Sequence, residues 1–282
     1  VLVQRRIFGM EIVNLTHPNA SQTAQIWPDI VGGKAWGLYQ LSVMGFSVPP
    51  AAVVVGQMTD TLKELRKIDV LLGGWEQSPV AVRSSGLGED GIEISMAGIH
   101  ESVLNVSGKM AVAIAIHTVR ASAFSPQAMA YRDAMGLAPP ADNMPVVIQQ
   151  MVGDPVASAV GFSCDPVTGK RDVVVEAVPG LGDAMVRGEV TPTRFRFPEA
   201  GGIATEAVGT HQMTRSWRSV PFGDLAGEII RLREGLATEV DVEAVWDGDD
   251  WQLVQCRPVT SGATTTPSEV DQIIERGAGV VR

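Results

Sequence analysis

Residues 79–106 read PVAVRSSGLGEDGIEISMAGIHESVLNV. A run of β-branched residues leads to Arg83 and two serines, a loop containing glycine and acidic residues follows, and a second strand-like run covers residues 102–106. Arginine offers a planar fork of N–H donors, and glycine lets backbone N–H groups come close to a ligand. The stretch therefore predicts two strands joined by a loop that grips a phosphate chain.

Composition limits the class of protein. The 282 residues suffice for one large or two ordinary domains. A net charge of −10 argues against nucleic acid or an anionic membrane as the main partner, and no apolar run is long enough to predict a membrane span. Cys164 and Cys256 match no metal spacing, so we expect reduced thiols and a cytoplasmic protein.

A Gly-Gly-Lys turn at 32–34 precedes a helical pattern that ends at Gly45. The spacing of a P-loop is absent. Two interpretations of the turn remain: an ordinary helix start with a solvated Lys34, or a lysine placed on phosphate.

The second half of the chain is rich in strand patterns. Residues 146–152, 157–164 and 173–177 are predicted to form a β-meander with small residues that permit close packing. Two alternating runs, 240–246 and 251–258, are joined by an Asp-Gly turn that strongly indicates a hairpin. Side chains alternate along a strand, so Glu243, Gln255 and Arg257 are expected on one face of it.

The polar groups at these strand ends suit one ligand. Lys34, Arg83 and Arg257 supply cations for a polyphosphate, and Glu243 and Gln255 supply oxygens for Mg²⁺. The strand end Gln150-Met151-Val152 can give backbone groups to a purine edge. A nucleophilic triad is not indicated, because the four histidines are scattered and none forms a motif with Ser84 and Ser85.

Four ordered blocks extend this interpretation over residues 30–260. They are Val31-Gly-Gly-Lys-Ala with Val48-Pro-Pro, Ala81-Val-Arg-Ser-Ser with Ser95-Met-Ala-Gly and Leu104-Asn-Val, Val147-Ile-Gln-Gln-Met-Val with Asp165-Pro and Gly180-Leu-Gly, and Val242-Glu with Gln255-Cys-Arg-Pro-Val-Thr. In these blocks the chain resembles the nucleotide-binding domain of the phosphoenolpyruvate synthase and pyruvate phosphate dikinase family, which includes rifampin phosphotransferase.

The resemblance implies an α+β ATP-grasp fold of two subdomains with ATP between them. We expect an N-terminal subdomain at 1–145 with a helical insert, a C-terminal subdomain at 146–260, and a linker or tail at 261–282. It also implies roles for ten residues. Lys34 and Arg83 would contact phosphates, and Gly98 and Ser102 would line a phosphate loop. Gln150, Met151 and Val152 would lie beside adenine, and Glu243, Gln255 and Arg257 would hold metal and phosphates.

In this family ATP donates its β-phosphate, through a pyrophosphoryl intermediate, to a histidine on a separate swivelling domain, which gives AMP and phosphate. Lys34, Arg83 and Arg257 would act catalytically by neutralising charge, together with Mg²⁺. The histidine motif of that domain is not found in the sequence. We therefore expect either an excised domain or an enzyme split across polypeptides, and we favour a phosphohistidine partner chain, in the manner of split phenylphosphate synthase-like enzymes. The acceptor would be a small molecule such as a phenol, an alcohol or pyruvate.

Departures from the family pattern fall in the loop. Gly86-Leu87-Gly88 replaces a small Ala/Thr-containing segment, and Ile99-His100 replaces a polar pair. Two alternatives stay open: a nucleotide-sensing module that binds without transfer, and an ATP-grasp ligase that joins a carboxylate to an amine. The ligase would release ADP, whereas the dikinase reaction releases AMP.

Overall fold

The computed structural model describes residues 9–18, 26–86, 101–186, 188–198, 205–207 and 215–259. The chain divides into two compact units. The first holds the described residues of Val1–Tyr39 and Pro50–Met151, and the second holds those of Gln40–Pro49 and Val152–Ser261. Each unit has its own antiparallel sheet with helices, which confirms the predicted α+β class.

The first sheet has the strand order β1-β2-β5-β3-β4, and all neighbouring strands are antiparallel. Its strands are β1 (Glu11–Asn14), β2 (Ala51–Val55), β3 (Val80–Ser84), β4 (Ser102–Val106) and β5 (Val146–Gln150). All five residues of β2, Ala-Ala-Val-Val-Val, are buried. A strand covered on both faces has no need of polar alternation, and β-branched side chains pack well on a pleated surface.

Four helices begin in the first unit: α1 (Pro28–Val43), α2 (Thr61–Gly73), α3 (Lys109–Ser122) and α4 (Pro126–Ala134). Capping sets two of the starts, because Asp60 accepts the N–H of Lys63 and Ser125 accepts the N–H of Ala128. The core of this unit joins the apolar side chains of α2 and α3 to one face of the sheet, including Val80, Val82 and Ile148.

The C-terminal end of α1 follows the predicted pattern. Gly45 has a φ of 77°, and the N–H of Phe46 reaches back to the carbonyl oxygen of Leu41 at 3.1 Å. This is the glycine-terminated cap in which a left-handed residue lets the chain satisfy the last carbonyl groups of the helix.

The second sheet has the order β11-β10-β6-β7-β8-β9, again antiparallel throughout. Its strands are β6 (Ala157–Phe162), β7 (Val173–Pro179), β8 (Thr193–Phe197), β9 (Thr205–Ala207), β10 (Val240–Trp246) and β11 (Trp251–Pro258). The helices that come after β7 in the chain are α5 (Asp183–Val186), α6 (Arg215–Arg218) and α7 (Phe222–Leu236).

Helix α7 covers one face of the second sheet. A Cβ added at Gly161 of β6 would lie 2.3 Å from Cδ1 of Ile229, so helix and strand approach closely where glycine leaves room. Aromatic packing fixes the start of the helix, since the Phe222 ring stacks on Phe195 at 4.3 Å and the Trp251 indole donates to the carbonyl of Pro221.

Strand β5 departs from the predicted meander. Residues 146–150 lie in the middle of the first sheet, between β2 and β3, whereas β6 to β9 pair in sequence in the second. The first unit accordingly extends to Met151, beyond the expected division between residues 145 and 146. Periodicity indicated a strand here, but it holds no information about which strand it pairs with.

Helix length and composition bear on membrane association. Within the described ranges, none of the helices combines the length and apolar character that crossing a bilayer would need.

Candidate functional site

Helix α1 is broken at the Gly-Gly-Lys turn. Gly32 has φ 77° and ψ 173°, a backbone conformation outside the helical range that is essentially confined to glycine. The buried hydroxyl of Ser85 spans the break: it donates to the carbonyl of Val31 at 2.7 Å and accepts the N–H of Ala35 at 3.0 Å. One side chain thus satisfies two backbone groups that the break would leave unpaired.

This clamp ties the lysine turn to the end of β3. Lys34 precedes Ala35 in the first turn after the break, and Arg83 stands two residues before Ser85. Both side chains are half-buried. The N-terminal turn of a helix is favourable for anions, so the structure places a lysine, an arginine and a helix start in one region of the first unit.

Arg83 lies on the face of the first sheet opposite α2 and α3. One row of register partners runs across all five strands: Val13, Val53, Val147, Arg83 and Ser102. Val53 and Val147 are buried, while Arg83 and Ser102 occupy the β3-β4 end of the row. Arg83 and Ser102 are therefore brought together as expected, and Gly98 lies outside the described residues, with most of the loop.

The end of β5 is already partly bonded within the protein. The N–H of Gln150 donates to the carbonyl of Pro50 at 2.8 Å, and the N–H of Met151 donates to that of Pro79 at 2.9 Å. Because these two N–H groups are already bonded, the predicted contacts with a purine would come from the carbonyl oxygens of the segment and from Val152. Gln150 pairs with Val80, so its side chain starts on the α2-α3 face, opposite Arg83.

The hairpin of β10 and β11 places its polar side chains as predicted. Glu243 stands directly opposite Gln255, and Asp241 directly opposite Arg257. Directly opposed residues share a face, so all four lie together. The alternate residues Val242 and Cys256 are buried on the face that α7 covers.

Arg257 is held by a carboxylate that sequence reasoning missed. Its Nε and Nη2 atoms both lie 2.7 Å from Oδ2 of Asp241, and Asp241 is only 5% exposed. Charge-assisted bonds of this length fix the orientation of the guanidinium plane. Strand alternation could have revealed this carboxylate, because Asp241 precedes Glu243 by two residues in the same strand and therefore lies on the same face.

The hairpin also suits a magnesium ion. In the described part of the chain, no group of three His, Cys, Asp or Glu side chains is arranged to hold a metal. Magnesium, however, is usually held by one or two carboxylates together with waters and substrate phosphates. The carboxylate of Glu243 and the amide oxygen of Gln255, on directly opposed residues, fit that donor set.

Both cysteines are free thiols. Burial, with a smaller contribution from Asp241, raises the pKa of Cys256 to about 12, so the thiol stays protonated and inert. Burial also raises the pKa of Cys164, which is half-buried. These environments describe packing groups, in agreement with the expected reduced thiols.

The Asp165-Pro166 block has a structural role. Burial opposes ionisation of Asp165, but the N–H groups of Val167 and Thr168 bond to its carboxylate and lower its pKa. Arg194 adds an ion pair at 3.6 Å. The carboxylate therefore organises the turn after β6.

Comparison with known proteins gives concordant matches. The profile of the family described as "Pyruvate phosphate dikinase, AMP/ATP-binding domain" matches residues 56–220. A phosphoenolpyruvate synthase of Aeropyrum pernix is 43% identical over 131 residues, which are 46% of this chain and 16% of the relative. A rifampicin phosphotransferase of Streptomyces sviceus is 32% identical over 219 residues, 70% of this chain and 25% of the relative.

Among solved structures, D-alanyl-alanine synthetase A from Vibrio cholerae has a TM-score of 0.42 at 12% identity, covering 88% of this chain and 60% of that one. The chain spans a quarter or less of the length of the two curated relatives.

Proposed function

Because the chain belongs to the family of pyruvate phosphate dikinase AMP/ATP-binding domains, we propose that it binds ATP and magnesium for phosphoryl transfer in a larger phosphotransferase. The membership confirms the resemblance drawn from the four sequence blocks, which implies the ATP-grasp fold.

The hairpin register carries this proposal. Glu243 and Gln255 are directly opposed, and Arg257 is oriented on the same face by Asp241. A carboxylate and an amide oxygen beside a fixed guanidinium match the needs of a magnesium-bound polyphosphate. We assign the metal to Glu243 and Gln255, and a phosphate contact to Arg257.

The first unit supplies the other contacts in this proposal. Lys34 and Arg83 bind phosphate oxygens, with Ser102 opposite Arg83 and Gly98 in the loop that follows β3. Gln150, Met151 and Val152 line the adenine, and the contacts come from carbonyl oxygens and the backbone of Val152.

In the proposed reaction a histidine of a separate domain or chain takes the β- and γ-phosphates of ATP as a pyrophosphoryl group, which releases AMP. Water then removes the γ-phosphate as inorganic phosphate and leaves the β-phosphate on the histidine. Magnesium would supply charge neutralisation between phosphate oxygens. Lys34, Arg83 and Arg257 orient the phosphates and stabilise the negative charge that shifts during transfer. The phosphohistidine then serves a small acceptor such as a phenol, an alcohol or pyruvate. We place this heteromeric or multidomain enzyme in the cytoplasm.

Calorimetric titration with ATP tests the binding step. Arg83→Ala should weaken ATP binding about tenfold to a hundredfold, because charge-assisted hydrogen bonds are lost. Glu243→Gln should reduce the gain in affinity that magnesium gives. The matched control is Arg66→Ala, at an exposed arginine of α2, which should bind ATP like the wild type. Absence of ATP binding by the wild-type chain contradicts the proposal.

Product analysis tests the transfer step. With the histidine-bearing partner present, chromatography should show AMP and phosphate. Formation of ADP instead would favour a ligase, and binding without AMP formation in the presence of the partner would favour a sensing module.

A further inference from the structure

Two adjacent glutamines end β5, and they face opposite sides of the sheet. Gln150 pairs with Val80 of the core face. Gln149 pairs with Ala51 on one side and Ala81 on the other, which places it on the same face as Arg83. Gln149 is 3% exposed, so it is a buried amide on the face that carries the proposed phosphate-binding arginine.

The amide of Gln149 has an unmet hydrogen-bonding need. Within the part of the chain that the structure describes, its Nε2 atom has no hydrogen-bond partner. Its two ladder neighbours are alanines, which carry no polar side-chain group. Leaving a buried donor unpaired is costly, and native proteins rarely keep such a group without a role. The arrangement indicates that the amide N–H of Gln149 donates to an acceptor atom of a bound ligand.

The position of Gln149 along β5 indicates which part of a nucleotide it meets. Val147, two residues before it, is the register partner of Arg83. At a rise of about 3.3 Å per residue, Gln149 lies about 7 Å along the strand from the Arg83 position. The next residue, Gln150, begins the segment assigned to adenine.

We propose that Gln149 binds the nucleoside part of the nucleotide, by donating its amide N–H to a ribose hydroxyl. The inference rests on the proposed ATP site and adds to it a residue that the sequence did not single out. It also separates two adjacent glutamines by the face of the strand on which each one lies.

Gln149→Met tests the proposal, because methionine has a similar length and volume but no hydrogen-bonding amide. If the amide waits for a ligand, its loss should leave the thermal midpoint of the nucleotide-free chain unchanged or raised, since an unpaired buried group is removed. Calorimetry should show AMP and ATP binding weakened about three- to tenfold, as expected for one lost hydrogen bond. Binding of inorganic tripolyphosphate should not change.

Two controls frame the result. Gln127→Met makes the same substitution at an exposed glutamine of α4 and should match the wild type in every measurement. Arg83→Ala should show the reverse pattern, with weaker ATP and tripolyphosphate binding and a smaller effect on AMP.

Five outcomes would overturn the inference. A lowered thermal midpoint with unchanged AMP and ATP affinity would make Gln149 a structural amide. Equal weakening of tripolyphosphate binding would move the Gln149 contact from the ribose to the phosphates. Weakening by Gln150→Met but not by Gln149→Met would assign the contact to the other glutamine. A wild-type chain that binds neither AMP nor ATP would overturn both the inference and the proposed function, whereas normal wild-type binding that Gln149→Met leaves intact would overturn the inference alone.

Discussion

The two units both hold charged residues on one face of an antiparallel sheet, but they fix them by different means. In the first unit, a backbone break at Gly32 and the hydroxyl of Ser85 set the place of Lys34 relative to β3. In the second, strand alternation brings Glu243 opposite Gln255, and the carboxylate of Asp241 orients Arg257. One arrangement depends on a single backbone conformation, the other on register and charge.

This difference has energetic consequences. A glycine-only conformation packed against backbone atoms has no alternative to relax into. A hairpin register is shared by all the residues of two strands, so a single side-chain change leaves the rest of the pairing in place. We therefore expect the first unit to be the more sensitive to one substitution at its site.

Gly32→Ala should have the largest effect. The added Cβ would lie 1.7 Å from the backbone oxygen of Ser85, at a φ of 77°. Strain and overlap together should lower the free energy of unfolding by about 3–5 kcal/mol. Urea denaturation followed by circular dichroism measures this loss.

Gly45→Ala is the matched control. Gly45 has the same φ of 77°, but no heavy atom lies within 4 Å of its added Cβ. The substitution should lower the free energy of unfolding by only about 1 kcal/mol, the cost of holding alanine in the left-handed conformation. Equal losses for the two variants would show that the backbone of Ser85 does not lie against Gly32.

Asp241→Asn should have the next largest effect and tests the second unit. The change removes the charge that holds the Arg257 guanidinium at a site where Asp241 is nearly buried. The free energy of unfolding should fall by about 2–3 kcal/mol. Asp172→Asn, which breaks the more exposed pair with Arg196 next to the same sheet, should cost less than about 1 kcal/mol. If Asp172→Asn lowers the free energy of unfolding as much as Asp241→Asn does, the buried pair is not the stronger of the two and this prediction is wrong.

The sequence predicted what depends on alternation and local chemistry. The hairpin and the shared face of Glu243, Gln255 and Arg257 both follow from side-chain period and turn residues. Family blocks placed Arg83 and Ser102 in one region, and the register has them directly opposite.

Non-local features were not predicted. The insertion of β5 into the first sheet depends on pairing with β2 and β3, which are distant in the chain. The Ser85 clamp depends on a contact 50 residues apart, and a glycine in a sequence does not reveal which backbone will lie against it. The face of Gln149 follows from the β5 pairing, so it too needed the structure.

Cys256→Val should have the smallest effect and tests the two-faced hairpin by pH. Burial raises the pKa of Cys256 to about 12 in the folded chain, against about 8.5 for an unfolded cysteine. Between these values the unfolded state releases a proton that the native state keeps, so rising pH favours unfolding. From pH 8 to pH 10 the wild type should lose about 1–2 kcal/mol relative to the variant. Between pH 6 and pH 8 the difference should stay constant, because the thiol is mostly protonated in both states. If the difference in free energy of unfolding between the wild type and the variant instead stays constant up to pH 10, Cys256 ionises alike in both states. This face of the hairpin would then be open to water.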